Sequence, residues 1–242
     1  MRLSSVLWPV FFLCHWLLCG FIAWHLLAKV DFAYPLAYQT LDIEQHIQTY
    51  GPQNRYRDGF ADTHTEQHIA LFGEINRAIH SEPNALASIH YTTRQGKKER
   101  LLRNDEVIHL KDVAHLVELV YRAGWVSLIL TLASAAVLLF TRASLPKALN
   151  VIASFTGVIA LACVAVFMIG PKKVFYTLHT WVFPPEHPWF FYYQDSLMTT
   201  LMKAPDLFGF IAVLLLVVWM ALWGISLLAI VRLWRRAPTA TH

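Results

Sequence analysis

Charge is scarce in this chain: only 15% of its 242 residues are charged, against 56% that are hydrophobic. Soluble domains carry about a quarter of their residues as charges, and here the apolar residues are gathered in blocks, so an ordinary soluble globule is excluded. The formal charge is a modest +4 and no dense basic run is interleaved with aromatics, so nucleic acid is not an expected partner. Internal repeats and low-complexity tracts are missing as well, which removes repeat arrays. Cysteine is rare. Cys14, Cys19 and Cys163 all fall inside apolar blocks, and no disulfide framework can be read from them.

What the sequence does have is four apolar blocks, each near the roughly 20 residues that cross a hydrocarbon core as a helix. They predict transmembrane helices at 1–28, 124–141, 149–170 and 207–231. The "WLLCG" at 16–20 is not read as a lipoprotein cleavage site, because Leu18 stands where a small residue is required. The first block also continues to residue 28, longer than the 7–15 residues or so of a signal core. Arg2, Arg142, Lys147, Arg232, Arg235 and Arg236 flank one side of the spans, which the positive-inside rule assigns to the cytoplasm. Lys172, Lys173 and Lys203 oppose that bias. The expected fold is therefore a mainly α, polytopic membrane protein. Its segments 29–123 and 171–206 face outward, the first as an α/β-hairpin loop domain between helices 1 and 2, and 232–242 form a cytoplasmic tail.

The first outer segment has structure of its own. Thr63 and Glu66 stand in capping-box spacing ahead of Ile69, Phe72, Ile75 and Ile79, the period of an amphipathic helix that would suit a lipid surface. Two short runs follow, one holding Ile89 and Tyr91, around the turn pair Gln95-Gly96, which predicts a β-hairpin. Asn104 is a suitable N-cap for a helix continuing into the second span. On a helical wheel Leu110, Val113, Val117, Val120 and Tyr121 make an apolar arc opposite Lys111, His115, Glu118 and Arg122. Glu106 falls inside the arc, His109 borders it, and Asp112 lies toward the polar side. A carboxylate on a membrane-proximal apolar face is costly without a partner. An exposed first turn, where acids simply favour the helix dipole, is the less favoured alternative.

The second outer segment, "KKVFYTLHTWVFPPEHPWFFYYQDSL", is aromatic in the manner of an interfacial belt. Among its rings stand His179, His187 and Asp195, and neutral imidazole can take a proton near physiological pH.

"EVIHLKDV" at Glu106 to Val113 and "LHTWVFP" at Leu178 to Pro184, with Trp189, Asp195 and Pro205, together resemble the bacterial lipoprotein intramolecular transacylase (Lit) family. The four-span layout with a large loop after the first span is similar too. The resemblance implies transfer of the sn-2 acyl chain of a diacylglyceryl-modified lipoprotein to the α-amino group of its N-terminal cysteine, leaving a lyso-form lipoprotein. It places His109 and His179 at the family's catalytic histidines. His179 is expected as the base and His109, held by Glu106 or Asp112, as the polarising and proton-shuttling group, though the two roles are interchangeable. Asp195, Trp189, Lys172 and Lys173 are the expected substrate-binding residues, the lysines by attracting lipid phosphates or simply by snorkelling. No cofactor or metal is expected. The expected partners are diacylated bacterial lipoproteins and membrane lipid, and the expected location is the bacterial inner membrane, with the active site on its extracytoplasmic face.

Two other functions fit less well. His64 and His68 in "HTEQH", or His15 and His25 in the first span, suggest a metal or haem protein. However, the zinc-protease glutamate is missing after His64 and no other span holds a histidine. A non-catalytic membrane module would have no use for the two histidines. An acyl-enzyme is not expected, because the cysteines lie in spans and Ser81, Ser88 and Ser196 lie outside any Gly-x-Ser-x-Gly turn. Ser196, beside Asp195, is the one serine near the second motif.

Overall fold

The computed structural model describes residues 3–236. Arg2 and the end of the tail, expected on the cytoplasmic side, lie outside the described residues. The elements in chain order are α1 (Leu3–Lys29), α2 (Tyr34–Thr40), α3 (Ile43–Tyr50), α4 (Thr65–Ser81), β1 (His90–Thr92) and β2 (Lys98–Arg100). They are followed by α5 (Asn104–Phe140), α6 (Ala148–Ile169), α7 (Pro171–Val182), α8 (Leu197–Met202) and α9 (Asp206–Arg236). Short 3₁₀ turns at Asp31–Ala33, Gly51–Gln53 and Pro83–Ser88 join some of them. By length and composition α1, α5, α6 and α9 can cross a membrane, matching the four expected spans.

The chain divides into two compact units. One, the apolar-helix unit, gathers α1 up to Leu26, Val120–Gly170 and α9 from Leu214. Its core is aromatic: Trp8, Phe11, Phe12 and Trp223 pack with Leu138 and Leu227, and Trp16 lies 4.0 Å from Trp219. Close helix approach depends on two glycines. A Cβ on Gly20 would overlap the Trp219 ring, and one on Gly124 would overlap Phe21, the small-residue contact that apolar helices use in lipid. Ser127, Thr131 and Ser134 are buried on α5, where Thr131 donates to the Ser127 carbonyl and Ser134 to that of Leu130. In α6, by contrast, Leu161, Phe167 and Met168 are exposed, a surface that only hydrocarbon solvates well.

The other, mixed unit comprises Leu27–Leu119 and Pro171–Val213. Its core joins Tyr34, Ile43, Ile47, Phe60, Leu71, Phe72, Ile75, Leu86, Tyr91, Leu101 and Leu201. Tyr34 stacks on Phe72 at 4.0 Å and donates its hydroxyl to the Leu201 carbonyl. The apolar face of α4 therefore packs into protein rather than onto lipid, with Leu71, Phe72, Ile75 and Ala78 buried. Its expected capping box is not formed: the N-cap is His64, and the Thr63 hydroxyl donates instead to the Phe60 carbonyl. The hairpin matches expectation, with Tyr91 opposite Glu99 and Gly96 in the turn at a φ of 80° that favours glycine. Residues 171–206, expected as an aromatic loop, hold two helices. Gly170, at a φ of 97°, stops α6, and Pro171 opens α7 with the fixed φ that suits a first helical position.

Candidate active site

The N-terminus of α5 starts one residue earlier than the sequence suggests. The Arg103 carbonyl accepts the first helical bond, from Val107 N–H at 3.0 Å, so Arg103 rather than Asn104 is the N-cap. Glu106, three positions on, reaches back to accept Arg103 N–H at 2.5 Å, the acidic half of a capping box. Its other oxygen accepts the Ser196 hydroxyl. Ser196 in turn caps α8, accepting Thr199 N–H at 2.9 Å. Glu106 is wholly buried, and these two donors are what make burial of a carboxyl group tolerable. The guanidinium of Arg103 lies over the Tyr56 ring and donates to the Asp195 carbonyl, tying the same start of α5 to the segment before α8.

One turn further along α5, His109 is 8% exposed and looks across at His179 of α7, with the ring centroids 6.3 Å apart. Phe183 lies 4.7 Å from His109 and 5.2 Å from His179, and Trp189 lies 5.0 Å from His179. Phe191 completes the wall beside His109. The sequence put His109 and His179 70 positions apart in two motifs; the fold makes them neighbours in one aromatic cage.

The hydrogen-bonding surroundings of the two rings differ. Nδ1–H of His179 donates to the Phe175 carbonyl, one turn back on α7, at 2.8 Å. The neutral ring is thereby fixed with a bare Nε2, an acceptor. Burial lowers the pKa of His179 below the ordinary histidine value, opposed by the Phe175 carbonyl bond, so the accepting form is favoured. In His109, Nδ1 is buried with no hydrogen-bond partner among the described residues.

The remaining expected site residues are placed as follows. Asp112 accepts Nδ1–H of His187 at 2.7 Å, and neither it nor Glu106 is hydrogen-bonded to His109. Asp195 pairs with Arg55 at 3.0 Å. Trp189 lines the cage. Lys172 and Lys173 are exposed in the first turn of α7. Three of the four histidines of the metal reading have other partners: His68 meets the hydroxyls of Tyr38 and Thr63, His15 meets Ser226 and His25 meets Tyr121. Among the described residues no three His, Cys, Asp or Glu side chains gather as a metal site.

Comparison with known proteins bears on these motifs. The family described as lipoprotein intramolecular transacylase Lit matches residues 8–208, a stretch that includes both histidines and every residue of the cage. The chain belongs to the Lit family. No curated protein and no solved structure matches it. Membership supports a transacylase that acts on lipoproteins, and a membrane setting agrees with the four apolar helices.

Within this Lit family member, sequence reading missed three contributors to the site. Arg103 carried no signal beyond its place just before the first motif, and Phe183 stands inside the second motif but was not singled out there. Ser196 did carry one, since serine is a favoured helix N-cap, but it was weighed only as a nucleophile, and set aside, rather than as a partner for Glu106.

Proposed function

We propose that this chain moves the sn-2 acyl chain of a diacylglyceryl lipoprotein to the α-amino nitrogen of the same molecule's N-terminal cysteine, by acid/base catalysis between His179 and His109. The observation that carries the reading is the pair of neighbouring imidazoles, with His179 fixed as an acceptor by the Phe175 carbonyl and His109 beside it to serve as the donor. Nε2 of His179 takes a proton from the amine as its nitrogen attacks the ester carbonyl. The C=O electron pair moves to oxygen, and Nε2–H of His109 stabilises the charge there. Collapse breaks the ester C–O bond, and the glyceryl oxygen recovers the proton from His179. Nucleophile and ester belong to one substrate, so the high effective concentration of an intramolecular reaction replaces an acyl-enzyme.

The site faces outward from a bacterial inner membrane in this reading. Support comes from Arg142 and Lys147 between α5 and α6 and from Arg232 and Arg235 at the end of α9, which mark the opposite, cytoplasmic side. The deciding experiment co-expresses the chain with a diacylated lipoprotein in a host lacking other N-acylating enzymes, followed by mass spectrometry of the N-terminal peptide. One acyl group should appear on the α-nitrogen and one should be missing from the glyceryl group, and His179→Ala should abolish both changes. A product unchanged in the wild type defeats the proposal.

A further inference from the structure

The cage around His109 and His179 is aromatic. Phe175, Phe183, Trp189 and Phe191 supply ring walls but no acceptor suited to holding an ammonium group, although the substrate amine arrives largely as one: α-amino groups have pKa values of about 8. A place for that cation must lie close to the histidines. One is present. Asp112 follows His109 by three residues on α5, a spacing that puts Cβ atoms about 5–6 Å apart on one helix face. Its carboxylate accepts Nδ1–H of His187 at 2.7 Å, which leaves His187 with an accepting Nε2. His187 stands two residues before Trp189, whose ring lies 5.0 Å from His179. Asp112 is only 16% exposed at its side chain, and its hydrogen-bond partner among the described residues is His187 rather than any Lys or Arg. No Lys or Arg among the described residues neutralises this carboxylate, which leaves it suited to an incoming cation.

We propose that Asp112 and His187 form the subsite that binds the α-ammonium group of the lipoprotein's N-terminal cysteine, where it gives one proton to Nε2 of His187 and is held as the neutral amine beside His109 and His179. The assignment rests on the transacylase reading, and it adds recognition of the amine to the acid/base pair. It also gives Asp112 a role separate from orienting His109.

The test uses the full-length protein in detergent and two unreactive ligands, dialkyl-ether analogues of a diacylglyceryl lipopeptide, one with a free N-terminal amine and one N-acetylated. The wild type should bind the free amine more tightly. Asp112→Asn should weaken free-amine binding about tenfold, the scale of a hydrogen bond to a charged group, and leave the N-acetylated ligand unchanged, which also reports an intact fold. His187→Gln should show a smaller loss of the same selectivity. Equal weakening of both ligands, or none, overturns the subsite, as does a wild type that does not distinguish them. A wild type that binds neither ligand overturns the transacylase reading instead.

Discussion

Glu106 at the start of α5 accepts the hydroxyl of Ser196 at the start of α8, a residue 90 positions later in the chain. Both side chains are wholly buried, and each also serves its own helix: Glu106 binds the N-cap N–H of α5, and Ser196 binds Thr199 N–H of α8. The contact therefore locks two helix starts together one turn from His109. Among the described residues Ser196 has no histidine partner to activate it as a nucleophile. Ser196→Ala should cost about 1–3 kcal/mol of stability, since it strands one oxygen of Glu106 and removes a cap, yet acyl transfer should continue in the protein that remains folded. Unfolding midpoints and product analysis measure the two effects separately. A variant of unchanged stability that makes no product, together with covalent labelling of Ser196 by a serine-directed acyl probe, would instead make Ser196 the nucleophile.

The lowered pKa of His179 sets one step on the acid limb of the reaction. Burial is the main cause of the shift, and a base whose pKa is depressed stays in its accepting form to lower pH. The contribution of His179 to the acid side of the kcat profile should thus titrate below about 6.5, the ordinary histidine value, as a step separate from that of the substrate amine near about 8. Trp189 covers the His179 ring, so Trp189→Ala should admit water and move that lower step upward. A lower step that is missing in the wild type, or that does not move in Trp189→Ala, would argue against His179 as the base.

The first outer segment gave up part of its plan to sequence reading. The helix at Ile69 to Ile79, the hairpin at Gly96 and the burial of Glu106 are all visible as periodicity or as turn chemistry. What α4 packs against was not, because an apolar stripe looks alike whether lipid or protein covers it. The helices α2 and α3 were hidden for another reason: the turns before them place Asp31, Phe32, Ala33 and Asp42 at positive φ, where no glycine announces the break. The wheel of α5 held for Leu110 and Val117, which are buried, and failed at Val120, which is exposed. The helix passes from one unit to the other at that point, so no single stripe describes it. At the site, His109 and His179 were singled out by resemblance more than by spacing, and Asp112 was read as a support for His109, whereas it is hydrogen-bonded to His187. Their hydrogen-bond partners came from residues 75 or more positions away or from a backbone carbonyl, which no local pattern records.

Acid should loosen the mixed unit before it touches the chemistry of the carboxylates. His68 is 1% exposed. The Thr63 hydroxyl gives its proton to the Phe60 carbonyl, so it accepts from Nε2–H of His68, and Nδ1 accepts from Tyr38. Desolvation pushes His68 down to about 4, and His46 likewise to about 4, aided by Lys203. The unfolded chain takes up these protons near pH 6.5 and the folded chain does not. Stability is therefore complete above about 6.5 and is lost as pH falls toward about 4, by at most about 3 kcal/mol for each ring. Chemical unfolding at pH 7 and at pH 4.5 should show the loss, and His68→Gln should flatten the slope. Equal stability at both pH values would mean that these rings are already charged in the fold.

Orientation of the chain decides whether the site can meet a lipoprotein at all, since an N-terminal diacylglyceryl cysteine is presented on the outer face of the membrane. The hairpin tip is the place to test it. Gly96 itself is a poor position for a reporter, because its φ of 80° would strain any side chain, whereas neighbouring Gln95 is exposed in the same turn. Native thiols need removing first: Cys14 and Cys19 are buried, but Cys163 is exposed on α6. In a cysteine-free background, Gln95→Cys should react with a membrane-impermeant maleimide in intact cells, and a cysteine placed at Ser144, between α5 and α6 and next to Arg142, should react only after lysis. The reverse pattern would invert the protein, put His109 and His179 in the cytoplasm and remove the lipoprotein substrate from reach.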